Sequence, residues 1–248
     1  EKLISTVRGA MIYPSVIIIA MVAIGIMMVT VVLPKLMLMF KEFDAELPLA
    51  TRILIAVTDF ASDPINMVTI IILLIAFIIL FVFSLKKYPK FKRLVHNINL
   101  HLPIFGKVIK KINLARFSLT LSSLLKSTIP IVQAVEITSE TCGNVLYRDC
   151  LRETAEKIKT GSPLSEILRD NTHLFPAMVT EMIMVGEKTG EVNQLLDELA
   201  IFYGNEVDKT MKNFTVIIEP VIILALGLAV AGMAVAVIMP MYTLVQAF

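Results

Sequence analysis

The sequence has little charge and very little cysteine for its length. Charged residues make up 18% of the 248 positions and apolar residues 56%, whereas about 25% of a soluble domain is charged. This balance excludes a disordered or acidic-tail protein, because too much apolar surface would remain in water. With only two cysteines, the chain cannot be a small scaffold held together by disulfides.

Patterns that signal catalysis or metal binding are also missing. The ten glycines are scattered, and no G-x-x-x-x-G-K phosphate-binding loop occurs. His96, His101 and His173 lack the spacing of paired metal ligands. Ser122 and Ser123 have no His–Asp context that would make a nucleophile. We therefore predict that the chain is not an enzyme and has no catalytic, cofactor-binding or metal-binding residue.

Three long runs contain no charged residue. They extend from Gly9 to Pro34, from Pro64 to Leu85 and from Pro220 to Phe248, with 26, 22 and 29 residues. A helix that crosses the hydrocarbon core needs about 20 apolar residues. We therefore predict an all-α membrane protein with three transmembrane helices at 9–34, 64–85 and 214–248. The third begins before its uncharged run because an apolar helical stripe leads into it.

Basic residues around these runs indicate their orientation. Five Lys and Arg residues and no acidic residue follow the second run, between Lys86 and Arg93, whereas residues 35–63 include three basic and five acidic residues. Because Lys and Arg collect in cytoplasmic flanks, the 35–63 loop, with a short interfacial helix, is predicted outside and residues 86–213 inside. The C-terminus is then extracytoplasmic. Residues 1–8, which do not begin with Met, are predicted to end a preceding cytoplasmic domain.

Residues 86–213 are predicted to form a cytoplasmic bundle of about six helices. No long alternating strand pattern occurs there, and apolar residues recur at helical spacing. Three such stripes are Phe117–Leu121–Leu124–Leu125, Met178–Met182–Val185 and Leu195–Leu199–Tyr203–Val207–Met211–Phe214.

Local signals place the breaks between these helices. Pro130 and Pro163 suit first helical turns, with Ser162 as an N-cap. Gly190 is a candidate left-handed residue at a helix end. The two cysteines, Cys142 and Cys150, are predicted to be small buried hydrophobes.

The charge of this domain is divided along the chain. Lys86 to Val135 has ten basic residues and no acidic residue, and Glu136 to Lys212 has 14 acidic and eight basic residues. The basic half is expected to meet anionic lipid headgroups. Nucleic acid is not expected as a partner, because aromatic residues are poorly interleaved with the basic ones. The acidic half is expected to face the cytoplasm or a basic protein partner.

Glu219 and Pro220 stand where the third apolar run begins. Proline removes a helical hydrogen bond and favours a bend. We interpret the pair as a membrane-entry hinge, with direct partner binding as the alternative. A proton path would need ionisable groups deeper in the bilayer than Glu219. The polar residues at such depth are Thr30, Asn66, Thr69, Thr243 and Gln246, and none of them is ionisable.

Five motifs in order give the chain a family resemblance. They are VVLPKLMLMFKEFDAELPLATRILIA, LPIFGKVIKKINLARFSLTLSSLL, GSPLSEIL, FPAMVTEMIMVGEKTGEV (Phe175–Val192) and IIEPVIILALG. Together they resemble the inner-membrane platform proteins of type IV pilus assembly and type II secretion. Members of that family carry an additional cytoplasmic domain before the first span, and we expect only its end, residues 1–8, in the sequence given.

The resemblance implies a location and a function. It implies a homo-oligomeric, multi-pass protein of the bacterial inner membrane, surrounded by lipids and other inner-membrane assembly proteins. Such a protein couples a cytoplasmic hexameric assembly or retraction ATPase to the polymerisation and depolymerisation of pilin. The alternative within the family is a type II secretion platform acting on a pseudopilin, and the alternative from another class is a small helical channel or transporter.

The resemblance also singles out residues for a shaped turn or partner contact. These are Phe175, Pro176, Gly186, Glu187, Thr189, Gly190 and Glu191. Close helix packing is the alternative for Gly186, and a helix end is the alternative for Gly190. Two positions depart from the family pattern: Thr128 replaces a frequent Gly, and Gly204 replaces a usual acidic residue and is a candidate flexible point.

Overall fold

The computed structural model describes residues 2–28, 30, 34, 60, 63–103 and 105–246. Within them the chain forms helices and no strand, so the prediction of an all-α protein is confirmed. The helices are α1 (Lys2–Met27), α2 (Pro64–Lys87), α3 (Pro89–His101), α4 (Phe105–Lys126), α5 (Ile131–Thr141), α6 (Val145–Lys159), α7 (Leu164–Arg169), α8 (Ala177–Thr189) and α9 (Val192–Gln246).

One helix in the described part of the chain is long and apolar enough to cross a membrane. It is the stretch of α9 from Val192 to Gly232, and a second qualifies if α2 and α3, bent by 106° at their junction, form one span. α1 has a shorter apolar stretch, Met11–Met27. Three spans therefore stay a prediction. The predicted interfacial helix falls almost entirely outside the described residues.

The chain divides into two compact units. The first comprises residues 1–7 and 84–214, and the second comprises residues 8–83 and 215–248. Among the described side chains of the second unit the large apolar ones are mostly exposed, with Phe77 at 69% and Leu228 at 74%. The first unit contains α3 to α8 and the beginning of α9, and it has a closed core.

Three aromatic rings lie at the centre of this core. The fully buried ring of Phe175 lies 5.2 Å from Phe117 and 5.4 Å from Tyr147, both edge to face. The Tyr147 hydroxyl donates to the carbonyl of Leu174 at 2.7 Å, which satisfies a buried polar group. The cluster thereby joins α4, α6 and the segment before α8.

Two of the predicted apolar stripes contribute fully buried residues to the core, and the stripe on α8 contributes only the partly buried Met182. Phe117 and Leu121 from the first stripe are fully buried, and so is Val207 from the third. In α8, by contrast, Val179 and Ile183 are buried, and the stripe of Met178, Met182 and Val185 lies on another face. Two members of that stripe are exposed, Met178 at 38% and Val185 at 48%.

The predicted helix breaks are present, but one predicted cap is wrong. The N-caps of α5 and α7 are Pro130 and Pro163, neither with a side-chain cap bond, so Ser162 is not the N-cap. Both cysteines are free and buried, as predicted. Burial raises the pKa of Cys142 to about 12 and that of Cys150 to about 11, so neither thiol is a ready nucleophile at neutral pH.

Candidate functional site

α8 ends in a left-handed glycine turn that leads into α9. Gly190 has φ +80°, and its N–H donates to the carbonyl of Gly186. The N–H of Glu191 donates to the same carbonyl at 3.0 Å, and Thr189 Oγ1 donates to Val185 O at 3.1 Å. The first two bonds satisfy the Gly186 carbonyl, one of the last four carbonyls of the helix, which have no partner within it. Gly190 is therefore the left-handed residue that the sequence predicted.

Gly186 lets the two helices approach closely beside this turn. A Cβ at this buried position would lie 2.8 Å from the Cα of Val192 and 3.1 Å from its nitrogen. Carbon atoms that are not bonded prefer separations of about 3.5–4.0 Å. The geometry supports the alternative interpretation of Gly186, in which glycine serves close helix packing.

Glu187 caps a helix other than its own. Its Oε1 accepts from the Leu164 N–H at 2.6 Å, and its Oε2 accepts from Ser165 N at 3.3 Å and Ser165 Oγ at 2.5 Å. A carboxylate at a helix N-terminus satisfies unpaired N–H groups and interacts favourably with the helix dipole. Glu187 therefore joins α8 to the start of α7. This long-range cap replaces the local one predicted at Ser162.

Phe175 and Pro176 lie at the opposite end of α8. Phe175 belongs to the aromatic core, and Pro176 is the exposed N-cap of the helix. The 13 residues of α8 rise about 20 Å. The structure therefore brings five of the seven predicted residues together at the C-terminal turn and leaves these two about 20 Å away.

The exposed stripe on α8 connects the two ends. Met178, Met182 and Val185, here named the α8 stripe, line an open groove of about 330 Å³ together with Glu181 and Leu195. Helical spacing identified the stripe, but spacing alone does not tell which face of a helix is buried. Exposed apolar side chains with an acidic neighbour make this face the candidate site for a protein partner.

The acidic half of the domain is partly neutralised by the basic half. Three ion pairs join the two halves: Lys111 with Glu206 at 2.7 Å, Arg93 with Asp149 at 3.8 Å, and Lys126 with Asp197. Hydrogen bonds from Lys126 and Ser122 lower the pKa of Asp197, and Lys111 lowers the pKa of Glu206. These three carboxylates therefore have partners within the bundle, and the expectation that the acidic half faces the cytoplasm or a basic partner stays a prediction.

The remaining predicted residues lie along α9. Glu219 and Pro220 are exposed within one continuous helix, and the hinge assigned to them stays a prediction. Gly204 lines an open cleft of about 320 Å³ between α4 and α9, beside Ala115 and Ala200. A Cβ at Gly204 would meet nothing within 4 Å. Its proposed flexibility also stays a prediction.

His96, one of the three histidines without metal-ligand spacing, makes a structural hydrogen bond. Its Nδ1 accepts from the N–H of Val145 at 3.0 Å, which places the proton of the neutral ring on the other nitrogen. Burial, Lys92 and Arg148 lower the pKa of His96. Among the residues that the structure describes, no group of three or more His, Cys, Asp or Glu could hold a metal ion.

Comparison with known proteins assigns the chain to a family. Residues 117–240 match the family described as type II secretion system (T2SS), protein F. The chain belongs to the T2SS protein F family. The match covers α9 as far as Pro240 and includes α5 to α8, so it contains both the glycine turn and the α8 stripe.

Curated relatives of this T2SS protein F family member are named for two machines, type IV pilus assembly and type II secretion. Type IV pilus assembly protein PilC of Thermus thermophilus is 34% identical over 96% of the chain, and PilC of Myxococcus xanthus is 33% identical over 100%. Type II secretion system protein F of Pseudomonas aeruginosa is 29% identical over 97%. In each case the chain spans 58% of the relative's length.

Proposed function

We propose that this chain is the platform of a type IV pilus assembly machine in the bacterial inner membrane. In this role it couples a cytoplasmic hexameric ATPase to the polymerisation and depolymerisation of pilin. Five relatives named for type IV pilus assembly are 27–34% identical to it, and three named as T2SS protein F are 29–30% identical. The overlap of these ranges keeps a type II secretion platform acting on a pseudopilin as the second candidate.

The proposed arrangement follows the hydropathy and charge of the sequence. Residues 9–34, 64–85 and 214–248 span the membrane, and 86–213 form the cytoplasmic bundle. The exposed apolar side chains of α2 and α9 support this arrangement, because surface of that kind is stable in lipid. The loop 35–63 and the C-terminus then lie outside.

The α8 stripe carries the proposal for ATPase contact. It is an exposed apolar surface within the Phe175–Val192 motif, next to a turn whose backbone is closed by its own hydrogen bonds. Apolar side chains that are exposed side by side can mark a protein interaction site. Thr189, Gly190 and Glu191 are exposed at the same end of α8 and complete the proposed contact surface.

The test replaces the two most exposed members of the stripe. The double variant Met178→Ser and Val185→Ser removes apolar contact area from a surface, so we expect the fold to persist. A matched control, Leu119→Ser and Ile201→Ser, removes side chains exposed by 51% and 65% beside the Gly204 cleft instead. We expect the stripe variant alone to lose ATPase co-purification from native membranes and surface pili, by about tenfold or more.

The partners found in that experiment also decide between the two machines. Recovery of a pilin with the wild-type protein supports pilus assembly, and recovery of a pseudopilin supports secretion. If the stripe variant recovers as much ATPase as the wild type, the proposed contact surface is wrong. Ion flux through the purified protein in liposomes would favour a channel instead.

A further inference from the structure

A cationic cavity opens where α2 ends and α3 begins. It has a volume of about 380 Å³ and faces α6. Its lining includes one acidic residue and six basic ones, the latter being Lys86, Lys90, Lys92, Arg93, Arg148 and Arg152. We name this feature the α3–α6 cavity.

The positive charge of the cavity exceeds what local carboxylates neutralise. Asp149 lies 3.8 Å from Arg93, and both side chains are exposed to solvent. Glu140 accepts from the Arg152 Nε at 3.2 Å and lies 4.0 Å from Arg148 Nε. Two carboxylates thus face six cations, and the cavity keeps a net positive charge at neutral pH.

The N-terminus of α3 adds to this field. Pro89, the first residue of the helix, lines the cavity, and the N-cap Tyr88 makes no side-chain cap bond. No acidic residue occupies the first turn of α3. A helix N-terminus has partial positive charge and favours an anion. Here it lies beside cationic side chains from three helices, α2, α3 and α6.

Two neighbouring groups are held in place for such a site. Arg148 Nη2 donates to the Cys142 carbonyl at 3.3 Å, and its side chain is only 26% exposed. His96 accepts a hydrogen bond from the N–H of Val145, which lines the cavity. Its pKa is lowered by burial and by Lys92 and Arg148. Arg148 is thereby fixed within the bundle, whereas Lys86, Lys90 and Arg152 are exposed around the cavity.

We propose that the α3–α6 cavity binds the phosphate headgroup of an anionic phospholipid. Leu85, the last residue of the uncharged run 64–85, lines the cavity together with the first cation, Lys86. The cavity therefore begins where the apolar run ends, which is where phospholipid headgroups lie if that run crosses the bilayer. Arg148 and Arg152 come from the half of the sequence that is acidic, so the site is more specific than a general attraction of the basic half to lipid.

The inference rests on the proposed membrane span at 64–85 and not on coupling to an ATPase. A soluble phosphate would satisfy the same cations, because the shared chemistry is a phosphate oxyanion held by Lys and Arg. A lipid differs in that its apolar chains anchor it beside the run that ends at Leu85. The experiment therefore compares lipid and soluble phosphate directly.

The experiment measures lipid retention by the purified full chain. The protein is exchanged into micelles containing equal amounts of phosphatidylcholine and phosphatidylglycerol, and retained lipids are counted by native mass spectrometry. The test variant is Lys90→Gln with Arg152→Gln, and the matched control is Lys157→Gln with Lys159→Gln. The control removes the same charge from exposed positions of α6 outside the cavity.

We expect the wild type and the control to retain phosphatidylglycerol in preference to phosphatidylcholine. The cavity variant should lose that retention on the order of 30-fold, because each nearby cation contributes attraction to an anionic lipid. In the second arm, inorganic phosphate is titrated against the retained lipid. We expect it to bind more weakly than phosphatidylglycerol and not to displace it.

Three outcomes would overturn the inference. Equal retention of the two lipids would show that the cavity does not select an anion, and equal loss in both variants would show only general charge attraction. Inorganic phosphate that competes as strongly as lipid would make this a soluble-phosphate site. Retention is measured without an ATPase or pilus, so a failure of the platform proposal leaves this result interpretable.

Discussion

Thr128 occupies a backbone conformation that normally favours glycine. Its φ is +59° in the turn between α4 and α5, a region that costs a residue with a Cβ about 1–2 kcal/mol. Glycine adopts it without strain but loses more backbone entropy on folding, by about 0.5–1 kcal/mol. We therefore expect Thr128→Gly to stabilise the protein by about 0.5–1 kcal/mol, measured by thermal unfolding of the purified chain in micelles.

Thr128→Ala is the control for that prediction. Alanine removes the hydroxyl that donates to Ser127 O at 2.7 Å but keeps the Cβ that causes the strain. It should not stabilise the protein. Equal melting temperatures for the Gly and Ala variants would show that backbone strain at this turn is unimportant.

Glu187 was predicted for a shaped turn or partner contact, and its carboxylate caps the start of α7. Glu187→Ala leaves the N–H groups of Leu164 and Ser165 and the Ser165 hydroxyl without their carboxylate. Buried donors that lose a charged acceptor cost about 1–3 kcal/mol. We expect a lower melting temperature for Glu187→Ala than for Glu181→Ala, which changes an exposed residue of the same helix. Equal melting temperatures, combined with loss of a partner, would instead assign Glu187 to binding.

His96 should make the stability of the bundle depend on pH. Its pKa in the folded protein lies below the ordinary value of 6.5 because burial, Lys92 and Arg148 oppose its protonation. The unfolded chain therefore takes up the proton first as pH falls through 6.5. Stability contributed by the neutral ring is fully present above that pH and decreases below it.

The measurement compares wild type with His96→Gln between pH 8 and pH 5. Glutamine keeps an acceptor for the Val145 N–H but does not titrate. The variant should show a smaller decrease in melting temperature on acidification. An unchanged pH profile would mean that other groups cause the acid sensitivity.

At the scale of elements, the junction of α8 and α9 depends on glycines with different roles. Gly186 is required for close approach, since a Cβ would meet the Val192 backbone at 2.8 Å, and Gly190 is required for its φ of +80°. Gly204 has no such requirement, because its Cβ would enter open space. We therefore expect a glycine-to-alanine substitution to have a different effect on stability at each of the three positions.

Alanine at each glycine tests this distinction. Gly186→Ala should destabilise by about 1–3 kcal/mol through overpacking, and Gly190→Ala by about 1 kcal/mol through the left-handed conformation. Gly204→Ala should stabilise by about 0.5–1 kcal/mol, because glycine is a poor helix former. If Gly204→Ala raises the melting temperature but abolishes piliation, flexibility at that point is functional. Destabilisation by Gly204→Ala would contradict the open geometry.

Local sequence patterns predicted where helices begin and end better than they predicted which face of a helix is buried. Proline and glycine placed the starts of α5 and α7 and the end of α8, because their backbone restrictions act within a few residues. Ser162 failed as a cap because the acceptor comes from Glu187, 22 residues beyond Ser165, and no local pattern reports such a contact. The α8 stripe had helical spacing, but its exposure depends on Val179 and Ile183 filling the core instead.

At the scale of the whole molecule, the division of charge along the sequence is partly closed by ion pairs between helices. Lys111 and Lys126 on α4 pair with Glu206 and Asp197 on α9. The basic half and the acidic half are therefore partly each other's partners. Cations also gather in the α3–α6 cavity, where Arg148 and Arg152 join those that follow Leu85. Net charge by sequence segment could predict neither feature, because both depend on which helices are neighbours.

The proposed topology can be tested by cysteine labelling, because the two native cysteines should not react with the label. Cys142 and Cys150 are buried, and burial raises their thiol pKa values to about 12 and about 11. Thiols of this kind react slowly with maleimides at neutral pH, because the thiolate is the nucleophile. The wild type should therefore remain unlabelled in intact cells and in permeabilised cells.

Single cysteines at two exposed positions then report the side of the membrane. Asp63→Cys, at the end of the predicted outer loop, should react with a membrane-impermeant maleimide in spheroplasts. Asn205→Cys, in the domain predicted to be cytoplasmic, should react only after permeabilisation; both native residues are exposed. Labelling of both variants without permeabilisation would contradict the topology. Labelling of Asn205→Cys alone would invert it, and would place the α3–α6 cavity and the α8 stripe on the side of the membrane away from any cytoplasmic ATPase.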